Sequence, residues 1–187
     1  IKIDKDTYLE NVRKISASNN TVYAMTVDGK VYAWGQNNYG QLGQGDKTNR
    51  TYAALVRGLD GNGFFENAID ISVGSFAAYV VNNKGLAYGV GYSRYNAIDS
   101  QGGTYTYLVK MPDYTNVFSI SAGNEEVAVR ESNSEVWKRG YNAWGVFGNG
   151  TTNTGTDIAG KDINDIYEGR NQSVIIKEDG TVWAAGQ

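Results

Sequence analysis

The 187-residue chain has no cysteine, no histidine and a single proline. Without cysteine there can be no disulfide framework, no thiol nucleophile and no Cys-ligated zinc or iron–sulfur site. Without histidine the chain lacks the usual general base and the commonest metal ligand. A Ser-His-Asp triad and a His-based zinc site are both excluded within it. No apolar run approaches the roughly 20 residues of a membrane-spanning helix, and Ile1–Glu10 carries no signal-peptide hydrophobic core. The charges nearly balance, 17 basic residues against 20 acidic. The net charge of −3 and a pI near 5 provide no basic field for a nucleic-acid backbone. The expectation is therefore a chain with no metal, no cofactor, no nucleic-acid partner and no catalytic residues of its own.

What the chain has in excess is glycine, 24 residues, about twice average usage. The glycines recur. With Ile15, Ile71, Ile120 and Ile166 as origins, the spacings are 56, 49 and 46 residues. Asn11, Asn67, Asn116 and Asp162 precede the origins at one common offset. Tyr32, Tyr88, Trp137 and Trp183 follow at another, and Gly35, Gly91, Gly140 and Gly186 at a third. Self-similarity at this period marks a repeat architecture. Within each unit the residues are β-branched and aromatic, as in Val22–Val27 and Val31–Trp34, joined by Asp28-Gly29. That dipeptide between apolar runs predicts a hairpin with a type I′ turn. No stretch has helical periodicity, so the repeat is all-β and points to propeller blades.

A Gly-rich loop follows each hairpin: Gly35–Gly45 in the first unit and Gly140–Gly150 in the third. Glycine supplies positive φ, Asn37 and Asn142 are expected to bond back to the turn, and Leu42 and Phe147 to plug the loop onto the blade. The second unit replaces the later glycines with Asn96, Asp99 and Gln101 while Ile98 keeps the plug, which predicts a reshaped loop there.

The stretch Tyr23–Gly45 resembles one unit of the regulator-of-chromosome-condensation repeat, and the resemblance extends over roughly Asn11–Gln187. It implies a seven-bladed β-propeller with about four strands per blade. This chain would hold about 3.5–4 blades: one partial propeller, 1–187, with units 11–66, 67–115, 116–161 and a truncated 162–187. Many family members carry a histidine where this chain has Thr21, Ala77, Glu126 and Gln172. Both ends fall inside a unit, so the remaining blades are expected in the same longer chain or in a second copy that completes the ring.

The resemblance implies several unrelated functions, and the expected one is a non-enzymatic protein-binding scaffold, bacterial and extracellular or cell-surface. The alternatives are a secreted enzyme inhibitor, a glycan- or wall-binding propeller, and a carboxylate-based glycan-active enzyme, which two buried, pKa-raised carboxylates in one groove would favour. The candidate partner-binding residues are Tyr39, Tyr95 and Trp144, at one repeat position, with Asn38 and Arg94 beside them. Exposed aromatics on scaffolded loops suit protein binding. Trp34, Trp137 and Trp183 are expected to pack within hairpins, and Arg130, Lys138, Arg139 and Arg170 to form a solvated basic face. Glu125 and Glu126, adjacent on one element, are expected to diverge. Asp60–Gly63 lacks the distal acid of a calcium loop. Gly89-Val90-Gly91 lacks the third glycine of a dinucleotide fingerprint.

Overall fold

The computed structural model describes residues 1–112 and 114–187. It has four antiparallel sheets taken in chain order. Blade 1 comprises β1 (Val12–Ser18), β2 (Thr21–Thr26), β3 (Val31–Gly35) and β4 (Arg50–Leu55). Blade 2 comprises β5 (Ala68–Val73), β6 (Ala77–Asn82), β7 (Ala87–Ser93) and β8 (Gly103–Lys110). Blade 3 comprises β9 (Val117–Ala122), β10 (Glu126–Glu131), β11 (Val136–Gly140) and β12 (Gly155–Gly160). The fourth sheet has three strands: β13 (Ile163–Glu168), β14 (Gln172–Lys177) and β15 (Val182–Gly186). Each strand pairs with its sequence neighbour, which is the meander of a propeller blade.

Hydrogen bonds between sheets show that β1, β5, β9 and β13 line the axis. Ser16 Oγ accepts the Val73 N–H, Ser72 Oγ the Ala122 N–H and Ser121 Oγ the Glu168 N–H. One serine in each of the first three units, beside the origin isoleucine, therefore staples its blade to the next. Asp70 adds a second link, since its Oδ2 accepts the Ile120 N–H at 2.9 Å while its Oδ1 pairs with Lys14.

The repeated asparagines have a backbone task. Asn11, Asn67, Asn116 and Asp162 all have φ between 55° and 60°, a left-handed conformation that Asn and Asp tolerate better than most residues. Their carbonyls accept the N–H groups of Val27, Asn83, Ser132 and Glu178, tying each hairpin turn to the start of its own innermost strand.

The β2–β3 hairpin forms as expected, but its turn is not type I′. Gly29 alone is left-handed (φ 77°), and Asp28 is not. Its N–H bonds the Thr26 carbonyl, and the Thr26 hydroxyl accepts the Lys30 N–H. This is a turn closed by a glycine bulge. Glycine is needed there for a second reason: a Cβ would lie 3.0 Å from the Ala68 nitrogen of the next blade. Ser134 occupies the same position in blade 3 at φ 64°.

The core lies in the seams between blades. Leu42, the plug of blade 1, is fully buried with Tyr23 and Met25 of its own blade and Val80 and Val90 of the next. Ile98 is buried likewise between blades 2 and 3. Phe147 is buried too. Each such side chain contributes about 1.5–3 kcal/mol of transfer free energy.

Candidate partner-binding face

Chain direction fixes which loops share a face. β1 ends at the Asn19-Asn20 turn, β3 ends at Gly35, and the Gly-rich loop follows. The β1–β2 type of turn and the Gly-rich loop therefore emerge together in blades 1, 2 and 3, opposite the Asp28-Gly29 type of turn. Between these inner turns lies an axial cleft of about 500 Å³, lined by Ser18, Asn19, Ser75, Phe76, Asn124 and Arg170 among others.

The loops are held by buried amides, as the sequence suggested. Asn37 Nδ2 donates to the Asp46 and Thr48 carbonyls at 3.0 and 3.1 Å, and its Oδ1 accepts the Leu42 N–H at 2.8 Å. Asn142 repeats this with Thr151, Asn153 and Phe147. In blade 2, Ser93 stands in that position, and its hydroxyl accepts the Ile98 and Asp99 N–H groups. The shorter side chain cannot span the same loop. The chain instead turns tightly at Arg94–Asn96, with Tyr95 and Asn96 both left-handed. This is the reshaped loop that the decayed glycine pattern implied.

All five candidate residues lie on this face, and three of them, Tyr39, Arg94 and Tyr95, join one cluster of rings. Tyr39 is half-buried, stacked on Tyr92 (5.7 Å, 16°) and edge-on to Phe76 (5.4 Å, 78°). Arg94 lies over both Phe76 and Tyr95, at 5.8 and 5.1 Å, and its guanidinium pairs with Glu125. Tyr95 is 37% exposed and meets Tyr141 at 4.6 Å. The result is a ribbon of rings running over blades 1, 2 and 3, with one arginine in its middle. Asn38 is exposed beside Tyr39. Trp144 is on the next loop, 48% exposed, and touches no other ring among the described residues.

Phe76, Tyr92 and Tyr141 complete the ribbon beside the candidate residues. Tyr92 and Tyr141 occupy one repeat position, directly after the repeated Gly91 and Gly140, so the signal was present but less regular than the candidate one. Gly140 itself is forced, because a Cβ there would overlap the Glu125 carbonyl.

Two expectations are corrected. Lys138 and Arg139 are not on a solvated face. Lys138 is fully buried and donates to the Val146 carbonyl and Ser173 Oγ, and Arg139 Nε donates to the Asn96 carbonyl at 2.6 Å. Their side chains span packed seams, which a composition argument cannot see. Trp183 is 59% exposed rather than packed, although Trp34 and Trp137 are partly covered.

Glu125 and Glu126 diverge as expected. Glu125 faces Arg94, while Glu126 turns inward and is 3% exposed. Glu126 Oε2 accepts the Glu125 N–H at 3.0 Å, and its Oε1 has no partner. Burial, reinforced by the neighbouring Glu168, pushes its carboxyl up to about 7. Glu168, also raised by burial, forms a 3.0 Å ion pair with Lys138 in which both side chains are fully enclosed. Two pKa-raised carboxylates therefore exist, and the Glu168 side chain is enclosed with Lys138 beside it. Among the described residues no cluster of Asp and Glu has metal-binding geometry, and no helix is long and apolar enough to cross a membrane.

Profiles of the regulator of chromosome condensation (RCC1) repeat match residues 28–81 and 12–41. The E3 ubiquitin-protein ligase HERC2 of Mus musculus is 25% identical over 179 residues, covering 87% of this chain and 4% of that protein. The probable E3 ubiquitin-protein ligase HERC3 of Homo sapiens is 24% identical over 196 residues, covering 99% and 18%. The chain thus spans a small part of these relatives. Among solved structures, human WBSCR16 aligns with a TM-score of 0.78 at 16% identity, covering 94% of this chain and 47% of that one. Prp20 of Saccharomyces cerevisiae, described with its binding to Gsp1p and histones, aligns at 0.74 and 13% identity, covering 94% and 44%. At such identities the likeness is one of fold.

Proposed function

The chain belongs to the RCC1 repeat family, and from that premise we propose that it is a non-enzymatic scaffold that captures a protein partner on its loop-bearing face. One observation carries this: the ribbon Tyr39–Tyr92–Phe76–Arg94–Tyr95–Tyr141 crosses three blades. Aromatic and arginine side chains dominate protein–protein hot spots, and rings that brace one another lose little entropy on binding. Tyr95 and Trp144 supply exposed anchor surface, Asn38 a polar contact at the rim, and Arg94 a cation already oriented by Glu125. Prp20 is itself described as a protein binder, which supports a protein as the partner class.

A bacterial, secreted or cell-surface setting, with an enzyme or a glycan as target, gains no support from the relatives, which are mouse and human proteins. That setting is tested by whether the full open reading frame encodes a signal peptide or wall anchor. The binding proposal is tested by replacing Tyr39, Tyr95 and Trp144 with alanine. The variant should keep a cooperative unfolding transition and lose partner capture. Undiminished capture by a folded variant removes the site assignment.

A further inference from the structure

The chain has no cysteine, and its two methionines, Met25 and Met111, are 1% and 0% exposed. The sulfur side chains that oxidants attack first are therefore absent or out of reach. One-electron oxidation then falls on aromatic rings, and the chain has 14 tyrosines. Two pairs of them meet across seams on the loop face. Tyr39 of blade 1 stacks on Tyr92 of blade 2, and Tyr95 of blade 2 meets Tyr141 of blade 3.

The second pair is the closer one. Its ring centroids are 4.6 Å apart with the planes tilted by 32°, against 5.7 Å and 16° in the first. At that separation carbons of the two rings are in van der Waals contact. The backbone fixes both rings. Tyr95 has φ 53° within the tight turn Arg94–Asn96, a left-handed conformation that tyrosine rarely adopts. Tyr141 follows Gly140 and donates its N–H to the Glu125 carbonyl at 3.1 Å. Arg139, two residues before Tyr141, donates from Nε to the carbonyl of Asn96, the neighbour of Tyr95, at 2.6 Å. That bond fastens the two turns to each other. Solvent reaches the pair, because Tyr95 is 37% exposed and Tyr141 is half-buried. Tyr39 and Tyr92, in contrast, have Phe76 edge-on to both rings, at 5.4 and 6.4 Å, which leaves them less room to turn toward one another.

We propose that Tyr95 and Tyr141 form a modification site, where a peroxide-derived one-electron oxidant joins the two rings as dityrosine. Each phenol gives up one electron and one proton and becomes a phenoxyl radical. The radicals form one C–C bond between the ring carbons ortho to the hydroxyls, and the hydrogens on those carbons move to the phenolic oxygens. In sum, two tyrosines and one hydrogen peroxide become one dityrosine and two waters. Rings already in contact replace a chance encounter of two radicals with an intramolecular one. The product is a covalent staple across the seam of blades 2 and 3, in a chain with no cysteine to place a disulfide there. Such a crosslink stabilises mainly by restricting the unfolded chain. The proposal does not depend on what the loop face binds.

The test treats the dilute whole chain with a haem peroxidase and hydrogen peroxide, and reads intact mass, dityrosine fluorescence and crosslinked peptides. The expected product is a monomer lighter by two hydrogens, fluorescent, with Tyr95 joined to Tyr141 in the peptide map. It should melt above the untreated chain. Tyr95→Phe and Tyr141→Phe should each lose this product, while Tyr39→Phe, Tyr92→Phe and the exposed Tyr8→Phe keep it. A monomer left unchanged by oxidant that couples N-acetyltyrosine in a parallel tube would overturn the proposal. So would crosslinks found only between chains, a map that joins Tyr39 to Tyr92 instead, or the lighter monomer arising from folded Tyr141→Phe.

Discussion

Replacing Glu126 by glutamine should stabilise the protein at alkaline pH and do nothing at acid pH. The carboxyl is buried against Gly123, and the Gly169 carbonyl lies on the same side of that glycine as Glu126 Oε1. Glu168 and Lys138 are the charged groups that act on it. Burial and Glu168 raise its pKa from 4.5 to about 7, while Lys138 and the Glu125 and Asn124 backbone N–H groups offset only part of that. The folded state therefore holds a proton that the unfolded chain releases. Below pH 4.5 both states are protonated and nothing is lost. Between 4.5 and 7 stability falls as pH rises, and above 7 the full cost is present. At 1.36 kcal/mol per pKa unit that cost is about 3 kcal/mol. For a chain of this length it corresponds to roughly 6–12 °C in melting temperature. Thermal unfolding followed by circular dichroism at pH 5, 6, 7 and 8 should show wild type and Glu126→Gln converging at pH 5 and separating steadily to pH 8, the variant higher. Parallel curves, or a wild type that is the more stable at pH 8, would refute the reasoning.

The neighbouring ion pair predicts the opposite sensitivity: Lys138→Met leaves Glu168 buried without its cation and should cost about 3–5 kcal/mol, and adding Glu168→Gln should recover much of that in chemical denaturation. Asn37→Ala removes the acceptor of the Leu42 N–H and the donor to two loop carbonyls, so it should lower stability by about 3 kcal/mol and speed hydrogen exchange in residues 37–49 ahead of the rest. Ser134→Gly relieves a left-handed serine (φ 64°) and should raise stability by up to about 1 kcal/mol. Gly85→Ala at the matching position meets Asn116 Cα at 2.7 Å and should clearly lower the melting temperature.

Much of the fold was legible because the repeat writes each local rule several times. Asn37 and Asn142, Leu42 and Phe147, and Gly35, Gly91 and Gly140 each serve a contact within about 20 residues, so pattern and structure agree. The turn type was misjudged because Asp-Gly serves a glycine bulge as readily as a type I′ turn, and the Thr26 hydroxyl decides between them. What could not be read is what lies between blades. Lys138 looks like any strand lysine until β13 brings Glu168 against it, 30 residues later. The ribbon was half visible: Tyr39, Tyr95 and Trp144 share a repeat position. Phe76, however, joins them only because its turn meets the preceding blade's loop, and nothing in its own unit's pattern marks it. Trp183 is 59% exposed on a sheet of three strands, whereas Tyr88 and Trp137 at the same repeat position lie in sheets of four.

Site-specific photocrosslinking tests the binding claim most directly. A benzophenone amino acid would be placed at Tyr95 on the loop face and, in a second protein, at Lys84 in the opposite turn, both exposed. The account predicts a discrete crosslinked protein species from position 95, competed by unlabelled wild-type chain, and none from position 84. The same adducts from both positions, or adducts from position 84 alone, would contradict it.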